Sequence, residues 1–242
     1  MRKLLQTAFD FSHPSYMERE DFIVAKCNED AFKAVDSWPN WLYFALCLYG
    51  PKGCGKSHLA NLFAQKVQQV NPHIFRVYSI EAKTADCYLP ENLFADSPAL
   101  VIENLCEKID NEAMFHLYNY YRDHGGYILF LSEEAPARLS FSLPDLQSRI
   151  NAVPTIQIGQ PDDEMLTMLL LKLFNDRQLK VTPEILRYAV SNMVRSFSYA
   201  QKLVDEADRI SLIKKSPITV PVIKEAVELL KDNKQADLFE EE

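Results

Sequence analysis

Gly50-Pro51-Lys52-Gly53-Cys54-Gly55-Lys56-Ser57 decides the fold of this 242-residue chain. The stretch has the spacing G-x-x-x-x-G-K-S, with the apolar run Leu46-Cys47-Leu48-Tyr49 before it and His58 directly after it. Each position has a physical task. Glycines let backbone N–H groups converge on phosphate oxygens, Lys56 reaches the β and γ phosphates, and the Ser57 hydroxyl is a ligand for Mg²⁺. Downstream, Leu59, Leu62, Phe63, Lys66, Val67 and Val70 recur at helical spacing. That puts the anion at a helix N-terminus, where unpaired N–H groups and the macrodipole favour negative charge. Gly53-Cys54-Gly55 has no third glycine at the offset of a dinucleotide fingerprint, so the loop reads as a phosphate cradle.

Working outward, composition bounds the class. Hydrophobic residues make up 48% and charged residues 25%, an ordinary soluble balance. No apolar stretch approaches the ~20 residues needed to span a bilayer. Gln6, Thr7 and Asp10 interrupt what would be a signal-peptide apolar region, so a cytoplasmic location is expected. The five cysteines (Cys27, Cys47, Cys54, Cys87, Cys106) show no C-x-x-C and read as reduced thiols without zinc. A net charge of −8 opposes tight, direct binding to duplex DNA.

Along the chain, residues 1–15 read as an extended N-terminal arm, and 16–160 as an α/β nucleotide-binding domain. Phe22-Ile23-Val24 alternates, and a helical pattern through Ala31, Phe32 and Val35 breaks near Pro39. After the loop helix come strands near Ile74–Ile80, Ala99–Ile102, Tyr127–Leu131 and Val153–Ile158, with a helix through Met114, Leu117 and Tyr121. Apolar strands alternating with helices imply a mostly parallel sheet covered on both faces. Residues 161–232 read as helices alone, at about 162–176, 183–193, 197–214 and 219–231, a small lid. The tail 233–242 ends in Glu240-Glu241-Glu242 and is expected to be disordered.

A phosphate loop needs an acid on a neighbouring strand to hold Mg²⁺. Leu100-Val101-Ile102-Glu103-Asn104 supplies Glu103 at that position. A second carboxylate usually follows to polarise the attacking water; Asn104 stands there, which predicts weak hydrolysis by the chain itself. Ser132 and Glu133 end the next strand, where a polar side chain would sense the γ-phosphate. Arg149 closes the segment Leu143-Pro144-Asp145-Leu146-Gln147-Ser148-Arg149, and Arg195 opens a lid helix.

In combination these residues, with Phe22-Ile23-Val24-Ala25 and Asn28, resemble the bacterial replication initiator DnaA and, more closely, its short Hda-type relatives, the alphaproteobacterial group above all. The resemblance covers almost the whole chain. It implies an AAA+ P-loop NTPase fold: a five-stranded, mostly parallel sheet between helices, then an all-α lid. It places Phe22 and Ile23 near an adenine, and residues Gly50, Pro51, Lys52, Gly53, Cys54, Gly55, Lys56, Ser57 and His58 around the phosphates of ADP or ATP. Ser57 and Glu103 would serve Mg²⁺, Arg149 would be an arginine finger offered to a neighbour, and Arg195 the lid's nucleotide sensor. Hda-type proteins hold ADP, bind the DNA-loaded sliding clamp of DNA polymerase III, and stimulate ATP hydrolysis by the initiator. A second copy of the chain is a further expected partner; DNA is met only through the clamp. The chain stops after the lid, so the initiator's helix-turn-helix domain is expected to be absent. The rival from another class is an autonomous AAA+ motor or loader, which Asn104 and the acidic charge oppose.

Two peptides suit the clamp. Gln6-Thr7-Ala8-Phe9-Asp10-Phe11 resembles the six-residue clamp motif, with Phe9 and Phe11 as apolar anchors and the Gln6 amide at the rim of a pocket. Gln235-Ala236-Asp237-Leu238-Phe239 fits the five-residue form, Q-x-x-L-F, with Leu238 and Phe239 expected to be uncovered.

Overall fold

The computed structural model describes residues 22–239 apart from 72, 75 and 76, with side chains as far as 231. The chain divides into two units between Gly159 and Gln160. The first unit runs α1 (Glu29–Asp36), β1 (Ala45–Tyr49), α2 (Lys56–Val70), β2 (Tyr78–Glu81), α3 (Pro90–Asp96), β3 (Ala99–Leu105), α4 (Asn111–Asp123), β4 (Tyr127–Ser132), α5 (Pro144–Asn151) and β5 (Thr155–Gln157). Its sheet has the order β2-β3-β4-β1-β5, and every neighbouring pair is parallel.

Strand side chains alternate between the two faces, and both faces are buried. Cys47, Leu100, Ile102, Ile128 and Phe130 join one core with Met114, Leu117, Tyr118 and Tyr121 of α4. Leu46, Leu48, Val101, Leu129 and Leu131 join the other with Leu59, Phe63 and Val67 of α2. Continuous apolar strands without polar alternation follow from that double burial. All carboxyl ends of the strands lie on one edge, the edge where α/β sheets bind ligands.

Local details depart from the sequence pattern. β2 is confined to Tyr78–Glu81, shorter than Ile74–Ile80 and ending one residue later, on an acid. A 3-10 segment, Ala82–Cys87, and the short α3, opened by Pro90 in its first turn, fill a stretch where no element was foreseen. No strand forms over residues 22–25.

The second unit holds α6 (Asp163–Asp176), α7 (Pro183–Asn192), α8 (Phe197–Lys214) and α9 (Val220–Phe239). Three of these starts are capped by the side chains of Asp162, Thr182 and Ser196, which accept from Met165, Ile185 and Tyr199 N–H groups. Such caps satisfy donors that a helix cannot pair internally, each worth about 1 kcal/mol. Leu166, Leu170, Phe174, Ala200, Leu203, Val204 and Ile223 are buried here. α9 extends to Phe239, so residues 233–239 continue a helix where a disordered tail was expected.

Candidate functional site

The loop between β1 and α2 is shaped by its glycines. Gly50 tolerates no side chain, because a Cβ there would stand 2.3 Å from the Ile158 carbonyl oxygen. That carbonyl is fixed: Ile158 N–H donates to Tyr49 O at 2.7 Å, continuing the β1–β5 pairing. Gly53 and Gly55 have φ of 72° and 99°, a left-handed turn that glycine adopts without strain. Gly55 is also the N-cap of α2, and no side chain caps that helix. The first-turn N–H groups therefore face the loop rather than an internal acceptor.

Lys56 folds back over the loop, its Nζ donating to the carbonyls of Gly50 at 2.6 Å and Pro51 at 3.0 Å. Cys54 is buried beneath it; burial pushes its thiol up while Lys56 pulls it down. Cys47 in β1 is pushed up to about 12 by burial. Both thiols are neutral filler at ordinary pH rather than nucleophiles.

The segment before α1 reaches the same loop. Asn28, almost fully buried, ties that segment with both ends of its amide: Nδ2 donates to Ile23 O at 3.0 Å, and Oδ1 accepts from Ala25 N–H at 2.8 Å. Gly159 N–H donates to Cys27 O at 2.8 Å, which anchors the turn beside β5. The Phe22 ring is stacked on Phe32 at 5.5 Å and meets His58 edge-on at 5.1 Å. A Cβ at Gly55 would come within 3.9 Å of Phe22. The Phe22 and His58 rings thus meet at the start of α2, an aromatic wall beside a phosphate loop, while Ile23 is fixed through its carbonyl by Asn28.

At the end of β3, Glu103 sits between two hydroxyls. Ser79 Oγ, 2% exposed, donates to Oε1 at 2.7 Å, and Ser57 Oγ donates to Oε2 at 3.4 Å. A hydroxyl and a carboxylate together are hard oxygen donors, the chemistry Mg²⁺ selects. Among the described residues no group of three or more His, Cys, Asp or Glu forms a self-sufficient metal site. A cation at Ser57 and Glu103 would complete its shell with phosphate oxygens and water, as Mg²⁺ does beside nucleotides.

Asn104 follows on a β-bulge. Ile102 pairs with Phe130 and Leu105 with Ser132, so β3 spends one more residue than β4 over that span. Asn104 takes φ of 54°, and its Nδ2 donates to both oxygens of Glu81, at 3.0 and 2.8 Å. Asn104, Glu81, Lys52, Lys83, Ser132 and Glu133 line a cavity of about 470 Å³. Ser132 lines it without offering its proton, since Oγ donates to Leu105 O at 3.0 Å and ties β4 to the end of β3. Glu133 lies 3.7 Å from the Lys52 ammonium, an exposed pair of small energetic weight.

Arg149, in the last turn of α5, lies over the rings of Phe115 and Tyr118 of α4, at 4.7 and 5.9 Å. Among the described residues no carboxylate forms an ion pair with it. In the second unit Arg195 Nη2 is 2.8 Å from Asp163 Oδ1, with both side chains half exposed or more. Gln6, Phe9 and Phe11 lie outside the described residues. Gln235, Leu238 and Phe239 fall within α9.

Sequence reasoning missed Ser79, Glu81 and the Phe115–Tyr118 seat. The one available signal was Glu81 itself, an acid ending a strand on the ligand-binding edge of a parallel sheet.

Comparison with known proteins bears on the fold. Residues 46–119 match the family model described as RNA helicase. An uncharacterized protein of Haemophilus influenzae is 26% identical over 198 residues, covering 75% of this chain and 80% of that protein. The chromosomal replication initiator protein DnaA of Bacteroides thetaiotaomicron is 26% identical over 205 residues, covering 76% of this chain and 43% of the initiator. The chain thus spans about half the length of the initiator relatives it matches or less. Domain III of Thermotoga maritima DnaA superposes with a TM-score of 0.76 at 23% identity, covering 91% of this chain and 97% of that domain. DnaA from Aquifex aeolicus, solved with AMPPCP bound, gives 0.70 at 19% identity, covering 94% of this chain and 72% of that one. The chain has a DnaA-like AAA+ fold, with a helical C-terminal part. No helix among the described residues is long and apolar enough to cross a membrane.

Proposed function

We propose that this chain is an adenine-nucleotide-bound regulator of replication initiation, of the Hda type, that docks on the sliding clamp and stimulates ATP hydrolysis by the initiator. Its own nucleotide, ADP or ATP, sits on the Gly50–Ser57 loop. Phe22 and Ile23 flank the adenine, Lys56 exchanges its loop carbonyls for phosphate oxygens, and Ser57 with Glu103 serves Mg²⁺. When bound, Mg²⁺ neutralises phosphate charge; the chain's residues orient the phosphates. Arg195, half exposed and paired with Asp163, is the residue assigned as the lid's nucleotide sensor.

The observation that carries this reading is the state of Arg149. It is held by two ring faces and has no ion-pair partner among the described residues, so its guanidinium keeps its donors for another molecule. An arginine supplied in trans accelerates phosphoryl transfer by roughly 10³ to 10⁵. Clamp docking would use Gln6, Phe9 and Phe11, or Gln235, Leu238 and Phe239. A helical setting for the second peptide favours the first, because an extended peptide is what a clamp pocket accepts.

The test is steady-state ATP hydrolysis by the initiator with DNA-loaded clamp, with and without this chain. Stimulation that disappears on deleting residues 6–11 or 235–239 supports the reading and assigns the peptide. No stimulation by a chain that binds nucleotide would sink it.

A further inference from the structure

The position after Glu103 carries an amide where a water-polarising carboxylate is expected, yet the carboxylate is not missing from the site. Glu81 stands across the β2–β3 pairing as the direct partner of Glu103. Neighbouring strands lie ~4.8 Å apart, so Glu81 is one strand's width from the acid that meets Ser57. Regular alternation would send the side chains of residues 103 and 104 to opposite faces of the sheet. The bulge and the left-handed backbone at Asn104 break that alternation, and the amide lands on Glu81, donating to both carboxylate oxygens.

We propose that Glu81 is the residue that orients and deprotonates the attacking water, with Asn104 as the positioning residue that holds it: the acid and the amide have exchanged strands. This rests on the loop binding a nucleoside triphosphate. Three observations support it. Glu81 lines the 470 Å³ cavity together with Lys52 of the loop, so the space beside it reaches the loop and is large enough for water. The Asn104 amide occupies one acceptor position on each Glu81 oxygen, and an ionised carboxylate accepts about four hydrogen bonds in all, which leaves capacity for a water. Glu103 has separate donors, Ser79 and Ser57, so each acid is held for a separate task.

In the step itself, a bond forms between the water oxygen and the γ phosphorus. The bond from that phosphorus to the β–γ bridging oxygen breaks, and its electron pair stays on ADP. One water proton passes to the Glu81 carboxylate and then to the released phosphate, so Glu81 is restored. The Mg²⁺ complex of ATP and water are the only reactants.

The experiment follows single-turnover phosphate release from Mg²⁺-ATP by the full chain, together with its ATP affinity. Four forms are compared: wild type, Glu81→Gln, Asn104→Glu, and Glu81→Gln combined with Asn104→Glu. Glu81→Gln keeps the shape and an acceptor for Asn104 but removes the base. Wild type should release phosphate slowly, and Glu81→Gln should be at least tenfold slower at unchanged ATP affinity, general-base contributions being ~10² to 10⁴. The double variant, which puts an acid on the other strand, should return to within a few-fold of wild type. Release by Glu81→Gln at the wild-type rate overturns the proposal. So does failure of the double variant to recover, which would mark a purely structural contact. No release from a wild-type chain with ATP bound overturns it while leaving nucleotide binding standing. Absence of ATP binding defeats the nucleotide reading and this inference with it.

Discussion

Lys56 and Arg149 carry the same charge within one unit, and the fold treats them oppositely. The Lys56 ammonium is turned inward onto two carbonyls of its own loop. Arg149 lies on two aromatic faces, which orient a guanidinium by cation–π attraction without using up its donors. A cation kept on loop carbonyls is ready for a ligand that enters its own loop. A cation held by its flat face, with no ion pair at its edge among the described residues, suits a ligand brought by something else. The contrast separates holding a nucleotide from acting on one.

Four substitutions would break or sharpen that contrast. Arg149→Ala should lower stimulated initiator hydrolysis by ~10³ or more while leaving the chain's own nucleotide affinity unchanged. A parallel loss of affinity, read by titration with a fluorescent adenine nucleotide, would mean that Arg149 serves its own site. Lys56→Ala should have the reverse signature. Two charge-assisted hydrogen bonds at about 1.5 kcal/mol each predict roughly 10²-fold weaker nucleotide binding, measured by the same titration.

Ser79→Ala removes the donor that steers Glu103 toward Ser57. The Mg²⁺ concentration for half-maximal tightening of nucleotide binding should rise about tenfold, one charge-assisted hydrogen bond's worth. Binding in EDTA should not change, and Ser79→Thr should restore the Mg²⁺ response. Phe115→Leu leaves an apolar contact but no ring face beneath Arg149. Losing about 0.5–1 kcal/mol of cation–π attraction predicts a two- to five-fold drop in stimulation with no change in nucleotide affinity.

The same contrast explains what the sequence made legible. The loop is contiguous, and its spacing carries its geometry: every residue from Gly50 to Ser57 acts through local backbone. The sheet was legible for a similar reason, because strands buried on both faces read as apolar runs such as Ala99–Ile102. Ser79 and Glu81 were not legible, because their roles depend on β2 pairing with β3 at a particular register. Asn104 looked like a simple loss of an acid; only the bulge reveals what its amide holds. The Phe115 and Tyr118 seat joins α4 to α5 across about thirty residues, a contact that no helical periodicity encodes. The C-terminal peptide failed differently. Its polar composition pointed to a disordered tail, and α9 continues through it to Phe239.

The most direct measurement loads labelled ATP on the initiator alone, adds clamp on DNA and this chain carrying ADP, and follows single-turnover release of labelled phosphate. The account predicts release about a thousandfold faster or more than without the chain, with the ADP on the chain retained throughout. An unchanged rate, under conditions where the chain holds its nucleotide and joins the clamp, would contradict it.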